Sequence, residues 1–231
     1  MIRILANDGI QEDGKTLLEE AGYQVDTEKV PQDKLAEVLP DYDVVIVRSA
    51  TQIRKDLIDV CPNLKIIARG GVGLDNIDYD YATGKGITVM NTPAASSQSV
   101  AELVFGHIFS LARSLHLSNR EMPGADGATF KKLKKAFSEG VQVRGKTLGI
   151  IGFGRIGQEV ARIGLGMGMN VMPVDLIVNE ADIDLNIYNS KDVRLSVSLQ
   201  TYRIEEVLPK ADFLTLHVPF SGGSALIDAA R

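Results

Sequence analysis

A chain of 231 residues has room for one large domain or two small ones. Hydrophobic residues at 45% and charged residues at 24% are ordinary for a globular protein, and a formal charge of −5 leaves no basic surplus for nucleic-acid phosphates. Cys61 is the single cysteine, which excludes an intramolecular disulfide and a cysteine-based metal cluster, and no apolar run approaches membrane-spanning length.

In chain order, Ile2–Leu5 is an apolar run that already reads as a strand rather than a leader, so a reducing cytoplasm is the expected setting. A helix is predicted over Gln11–Ala21, a strand at Gln24–Asp26, and a helix over Gln32–Leu39. Asp43–Val47 is the next strand, followed by a helix over Lys55–Cys61 with a structural Cys61 at its end. Strands at Lys65–Ala68 and Ile87–Met90 complete a β/α alternation that predicts a parallel sheet covered by helices, in a first domain over residues 1–93.

Ser96 opens a long helix whose apolar side is Val100, Leu103, Val104, His107, Ile108 and Leu111. Asn119–Ala128, with Pro123, Gly124 and Gly127, is expected to be a loop. The basic run Lys131–Lys135 reads as a solvated helix face. A second β/α series, in a domain over residues 94–231, has strands at Thr147–Ile151, Asn170–Val174 and Phe213–His217. The partial alternation of Asp192–Tyr202 suggests a peripheral strand or hairpin.

The turn between Thr147–Ile151 and the helix beginning at Ile156 carries Gly152, Gly154 and Gly157, a G-x-G-x-x-G pattern. Asp175 follows at the end of the next strand. In that setting the glycines have separate tasks: Gly152 makes a tight turn, Gly154 admits a pyrophosphate, and Gly157 lets helix and sheet pack closely. The helix N-terminus at Arg155 and Ile156 offers amides and a positive dipole end to phosphates. A carboxylate at Asp175 suits two ribose hydroxyls and repels a 2′-phosphate, which predicts NAD as the cofactor rather than NADP. The competing reading is a glycine-rich turn beside an incidental surface aspartate. His107 and His116 read as packing or surface residues, and no histidine pair has convincing metal-ligand spacing.

The ordered motifs Val47-Arg48-Ser49-Ala50-Thr51, Arg69-Gly70-Gly71-Val72-Gly73-Leu74-Asp75, Asn91-Thr92-Pro93, the glycine turn and His217-Val218-Pro219 resemble those of the NAD-dependent D-2-hydroxyacid dehydrogenases. The resemblance spans essentially the whole chain. It implies an α/β fold with a flavodoxin-like first domain that contacts substrate and a doubly wound Rossmann second domain that binds NAD. By position, the Gly71, Val72 and Gly73 backbone meets the substrate carboxylate. Arg48 and Ser49 match the positions that approach the phosphate in the branch of the family acting on phosphorylated hydroxyacids, and a guanidinium suits such bidentate recognition. His217, Val218 and Pro219 line the adenosine side of the NAD site. The resemblance further implies a homodimer, through the helix from Ser96 and the loop around Pro123.

In that family the catalytic arginine, glutamate and histidine follow His-Val-Pro, and this sequence runs for 12 residues after Pro219. The expectation is an incomplete NAD-binding domain, no catalytic residue to assign, and an inactive 231-residue form. A catalytically inactive NAD-binding or dimerising module, and a dehydrogenase for an unphosphorylated hydroxyacid such as glycerate or lactate, are the alternatives.

Overall fold

The computed structural model describes residues 1–185, 195–219, 222 and 225–228. The chain divides into two units, Met1–Ser96 and Ser97–Arg231.

The first unit is built on β1 (Arg3–Ala6), β2 (Gln24–Asp26), β3 (Val44–Val47), β4 (Ile66–Arg69) and β5 (Thr88–Asn91). All four pairings are parallel and the order is β2-β1-β3-β4-β5, the flavodoxin-like order, which reverses direction between β1 and β3. Leu5, Val45, Val47 and Ile67 are fully buried or nearly so, as expected of strands covered on both faces. Between the strands lie α1 (Glu12–Glu20), α2 (Leu35–Val38), α3 (Lys55–Asp59) and α4 (Tyr79–Gly84).

Two predicted helices are shorter than expected. The segment predicted as one helix over Gln32–Leu39 is a 3₁₀ turn at Gln32–Lys34, the single turn α2, and a second 3₁₀ turn at Leu39–Asp41. Pro40, which cannot donate an amide hydrogen, sits where the helix would continue. Leu35 and Leu39 are nonetheless fully buried, because burial follows the apolar spacing even where the helical hydrogen bonds do not continue. α3 stops at Asp59, and Pro62 prevents continuation beyond Cys61. Cys61 itself is buried, and burial pushes its thiol pKa up to about 11, so it is a packing residue held as the thiol.

The second unit begins with α5 (Ser97–Arg113), α6 (Leu115–Glu121) and α7 (Gly127–Phe137). Ser114, in the left-handed region with φ 51°, separates α5 from α6. The predicted loop over Asn119–Ala128 is therefore only five residues, 122–126; its first residues continue α6. Asp126 caps α7 by accepting from the Thr129 amide at 2.7 Å.

A parallel sheet of order β10-β6-β7 follows, from β6 (Thr147–Ile151), β7 (Asn170–Val174) and β10 (Phe213–Leu216). α8 (Arg155–Gly166) crosses from β6 to β7, and α9 (Ile204–Val207) precedes β10. Leu148, Ile150, Phe153 and Val160 are fully buried in a core shared with Phe105 and Ile108 of α5.

Between Asp175 and α9 the chain forms an antiparallel pair, β8 (Glu180–Leu185) with β9 (Leu195–Gln200), so the predicted peripheral strand is present from Leu195; its first three residues, 192–194, lie outside the described residues. Ile183, fully buried, and Leu199 join the core, while Glu180, Asp182, Ser196 and Ser198 stay exposed.

Pro173 sits inside β7 without disrupting it. Its carbonyl accepts from the Tyr202 amide at 2.8 Å, whereas the next carbonyl, that of Val174, accepts from Gly152 on the β6 side at 2.8 Å. Residue 173 thus faces away from β6, and the donor that proline lacks is not one that the β6–β7 ladder uses.

Candidate functional site

The predicted residues gather at two places, one in each unit.

In the second unit, β6 ends and the chain turns through Gly152 with φ +96°, a conformation that L side chains rarely adopt. A β-carbon there would stand 2.8 Å from the His217 carbonyl, so the turn and the end of β10 touch backbone to backbone. A β-carbon on Gly157 would drive into the Gly152 carbonyl oxygen, and this close approach holds the α8 entry against the turn. Gly154, at the N-cap of α8, differs: a β-carbon there would meet nothing within 4 Å. The amides of Gly154, Arg155 and Ile156 find no acceptor among the described residues. Free amides over open space at a helix N-terminus suit an anion, and the missing side chain lets that anion approach the backbone.

Asp175 is tied into this turn. Its Oδ2 accepts from the Phe153 amide at 2.6 Å, and its Oδ1 accepts from Ile177 and Val178 at 2.8 and 3.0 Å. Burial pushes its carboxyl upward, but the backbone donors Val178, Ile177, Phe153 and Leu176 outweigh that and hold the pKa below the usual value. Oδ2, with one donor, keeps capacity for another. The aspartate is therefore no incidental surface residue: it fixes the glycine turn and presents a negative charge beside it at neutral pH. Leu176 and Ile177, 100% and 88% exposed, leave the same turn as bare apolar side chains. The sequence reading passed over them because exposed apolar residues after a strand have no periodicity.

His217 donates its amide to Ile151 at 2.7 Å, and its Nε2 lies 3.0 Å from the Thr215 hydroxyl. Burial lowers its pKa, so the imidazole is neutral at pH 7. Val218 packs on Gly152. Gly152, Gly154, Arg155, Ile156, Gly157, Asp175, His217 and Val218 thus share the end of one sheet, with Pro219 one residue on.

In the first unit, the loop after β4 is pinned through its carbonyls. Thr92 donates to Gly71 at 3.1 Å and the Asn91 side chain to Val72 at 2.7 Å. The Val72 and Gly73 amides have no acceptor among the described residues. A β-carbon on Gly71 would strike the Arg69 guanidinium, and one on Gly73 would stand 2.9 Å from Asp75. Arg69 has a buried Nε without a partner, and its side chain over the glycine loop was missed from sequence because it also reads as a strand residue.

Arg48 and Ser49 begin the loop after β3, and two side chains hold that loop from opposite sides. Asp8 accepts from the amides of Arg48 and Thr51 at 2.7 and 3.1 Å and from the Thr51 hydroxyl at 2.7 Å. Asn76 donates to the carbonyls of Arg48 and Thr51 at 2.8 and 2.6 Å. Burial raises the Asp8 carboxyl, but the Thr51 hydroxyl, the two amides and the Lys29 charge lower it further, so it stays ionised. Neither Asp8 nor Asn76 stood out in the sequence. Each acts on residues 25 to 43 positions away, beyond any local pattern. Arg48 and Ser49 line an open crevice of about 380 Å³.

Among the described residues no helix is long and apolar enough to cross a membrane, and no group of three or more His, Cys, Asp or Glu is placed to hold a metal ion.

Residues 4–216 match the family described as D-isomer specific 2-hydroxyacid dehydrogenase, catalytic domain. The chain is 38% identical over 220 residues to a hydroxypyruvate reductase from Thermotoga maritima, covering 95% of this chain and 65% of that protein. It is 38% identical over 222 residues to a D-3-phosphoglycerate dehydrogenase from Methanocaldococcus jannaschii, covering 96% of this chain and 39% of that protein. Among solved structures it resembles NAD⁺-bound 3-phosphoglycerate dehydrogenase from Entamoeba histolytica, with a TM-score of 0.66, 29% identity, and coverage of 94% of this chain and 63% of that one. The chain therefore spans between about two fifths and two thirds of the relatives it matches.

Proposed function

This chain belongs to the D-isomer specific 2-hydroxyacid dehydrogenase family, and we propose that it supplies the substrate- and NAD-binding parts of a dehydrogenase for 3-phospho-D-glycerate. The observation that carries the cofactor half is the open, amide-lined turn at Gly154 with the ionised Asp175 carboxylate bonded to its next-door amide. In this reading the amides of Gly154, Arg155 and Ile156 hold the pyrophosphate. Asp175 Oδ2 takes a ribose hydroxyl, and its fixed charge disfavours a 2′-phosphate. Leu176 and Ile177 offer apolar surface to the adenine, and His217, Val218 and Pro219 border the same side. When bound, NAD accepts the hydride from the carbon bearing the hydroxyl; the protein contributes binding, orientation and charge.

On the substrate side the free amides of Val72 and Gly73 receive the carboxylate, with the Arg69 cation beside them. Arg48 and Ser49 take the phosphate. All of these are binding roles, and the proposal gives proton transfer to none of the residues described. Oxidation of 3-phospho-D-glycerate would yield 3-phosphohydroxypyruvate, a precursor of serine, in the cytoplasm. The exposed apolar residues Leu103, Leu111, Leu115 and Phe130 on α5, α6 and α7 support a homodimer through those helices.

The test is the affinity for 3-phospho-D-glycerate in the presence of NADH, measured by calorimetry and compared with D-glycerate and D-lactate. Preference for the phosphorylated acid that disappears in Arg48→Ala supports the reading. Equal affinity for all three, or a loss in Arg48→Ala that ignores the phosphate, rejects the phosphate role. The 38% likeness to a hydroxypyruvate reductase favours a glycerate-forming enzyme as the second reading.

A further inference from the structure

The four residues Arg48 to Thr51 form an arch after β3 that is held twice at the same two positions. Asp8 takes the amides of Arg48 and Thr51. Asn76, from the segment after β4, gives its side-chain amide to the carbonyls of the same two residues, at 2.8 and 2.6 Å. Asn76 is 1% exposed, and two carbonyls spend the whole donor capacity of its side chain. They also fix which way the amide points, since the flipped group would set oxygen against oxygen. The same segment is tied to the chain just past the arch. The Asn76 carbonyl accepts from the Ile53 amide at 2.8 Å, and the Ile53 carbonyl accepts from Asp78 at 3.0 Å. Arg54 reaches across in the other direction, from Nη2 to the Asp75 carbonyl at 2.9 Å and from Nη1 to the Asp78 carboxylate at 3.1 Å. Gly70 begins the segment by donating to the Val47 carbonyl, at the end of β3, at 2.8 Å. Between Gly70 and these ties lie Val72 and Gly73, whose amides have no acceptor among the described residues. Two sets of ligand-facing groups, on loops from different strands, are therefore joined through Asn76 and its neighbours.

Resting on the proposed phosphorylated substrate, we infer that Asn76 is a positioning residue that sets the arch taking the phosphate at a fixed distance and angle from the loop taking the carboxylate. Its donors go to backbone, and none is left for a ligand. Its effect therefore appears only when both loops are engaged by one molecule. A ligand that joins two subsites gains from their fixed relative placement, because the second contact becomes intramolecular; a ligand that fills one subsite gains nothing from it. The advantage of a phosphorylated acid over its separate fragments is then a property of the tie between the loops as well as of the groups on them.

The experiment is a titration of the ¹⁵N-labelled protein with 3-phospho-D-glycerate and with two fragments, inorganic phosphate and D-glycerate, following the Ser49, Ala50, Val72 and Gly73 amides. In the parent, phosphate should shift Ser49 and Ala50, D-glycerate should shift Val72 and Gly73, and 3-phospho-D-glycerate should shift all four at the lowest concentration. In Asn76→Ala the Asp8 bonds still hold the arch, so each fragment should bind within about twofold of the parent, while 3-phospho-D-glycerate weakens about tenfold. Arg54→Met removes a partly exposed tie between the same loops and spares the buried one. It should weaken 3-phospho-D-glycerate about threefold with the fragments unchanged, and it carries the test if Asn76→Ala does not fold. A loss in Asn76→Ala shared equally by 3-phospho-D-glycerate and both fragments, or 3-phospho-D-glycerate affinity unchanged in the variants, refutes the positioning role and leaves the phosphorylated-substrate reading standing. A parent that binds 3-phospho-D-glycerate no tighter than D-glycerate refutes that reading and the role of Asn76 with it.

Discussion

The glycine turn can be tested by adding one methyl group at two positions that a sequence pattern treats alike. At Gly157 a β-carbon meets the Gly152 carbonyl oxygen far inside van der Waals contact, with Ile150 Cγ2 at 3.3 Å behind it. Neither neighbour is the free end of a flexible chain, so α8 must move away from β6. Overpacking of this kind costs about 1–3 kcal/mol, and alanine's better helix propensity returns about 1 kcal/mol. Gly157→Ala should therefore lose up to about 2 kcal/mol, a melting shift of up to about 8 °C for a unit of this size. At Gly154 φ is −75° and nothing lies within 4 Å, so Gly154→Ala should change stability by less than about 1 kcal/mol, a weaker N-cap offsetting a less floppy unfolded chain. Its methyl would occupy the space assigned to the pyrophosphate. Loss of one charge-assisted amide–phosphate bond weakens NADH by about 10- to 100-fold. Thermal melting and NADH fluorescence titration of both variants separate the effects. A Gly154→Ala protein that binds NADH within twofold of the parent would refute the location of the pyrophosphate.

Asp175→Asn should lose selectivity against a 2′-phosphate, narrowing the NADH-over-NADPH affinity ratio by about tenfold, since a full charge is removed from the ribose end; parallel titrations with the two cofactors measure it. Because the folded carboxyl of Asp175 is held below its unfolded value, its stabilisation is complete above about pH 4 and is lost as pH falls through the folded pKa. Urea midpoints between pH 2 and 5 should thus fall less steeply in Asp175→Asn. For His217 the sign is opposite in origin: its folded pKa lies below 6.5, so the unfolded chain takes the proton first and stability drops as pH falls below about 6.5. His217→Gln should flatten that limb. Asp8→Ala leaves the Arg48 and Thr51 amides and the Thr51 hydroxyl without their acceptor, at about 1–3 kcal/mol in urea unfolding. Pro173→Ala should stay within about 1 kcal/mol of the parent, whereas Val174→Pro, one residue on, faces β6 and should cost about 3 kcal/mol or more.

The strands were legible because buried parallel strands are runs of Val, Ile and Leu, and Val44–Val47 or Leu148–Ile151 cannot be mistaken for a surface. The glycine turn was legible because its spacing, its flanking strand and helix, and the acid after β7 form one local unit. Helix continuity was less so. Leu35 and Leu39 keep helical spacing across a segment that Pro40 breaks, since burial follows the apolar pattern while hydrogen bonding follows the backbone. The Asp8–Thr51 and Asn76–Arg48 contacts were invisible for a different reason. They join polar residues from separate loops, and only the folded sheet brings those loops to one end. Asp175 was read as a ligand for ribose, yet its first task is to hold its own turn to Phe153, which no spacing rule contains.

The turn from Gly152 to Gly157, with Asp175, is the proposed NAD site. The direct measurement is titration of the 231-residue protein with NADH and NADPH, followed by nicotinamide fluorescence or calorimetry. Saturable NADH binding at least about tenfold tighter than NADPH is expected, the discrimination of a fixed carboxylate facing a 2′-phosphate. Absence of saturable binding, or equal or tighter binding of NADPH, would contradict it.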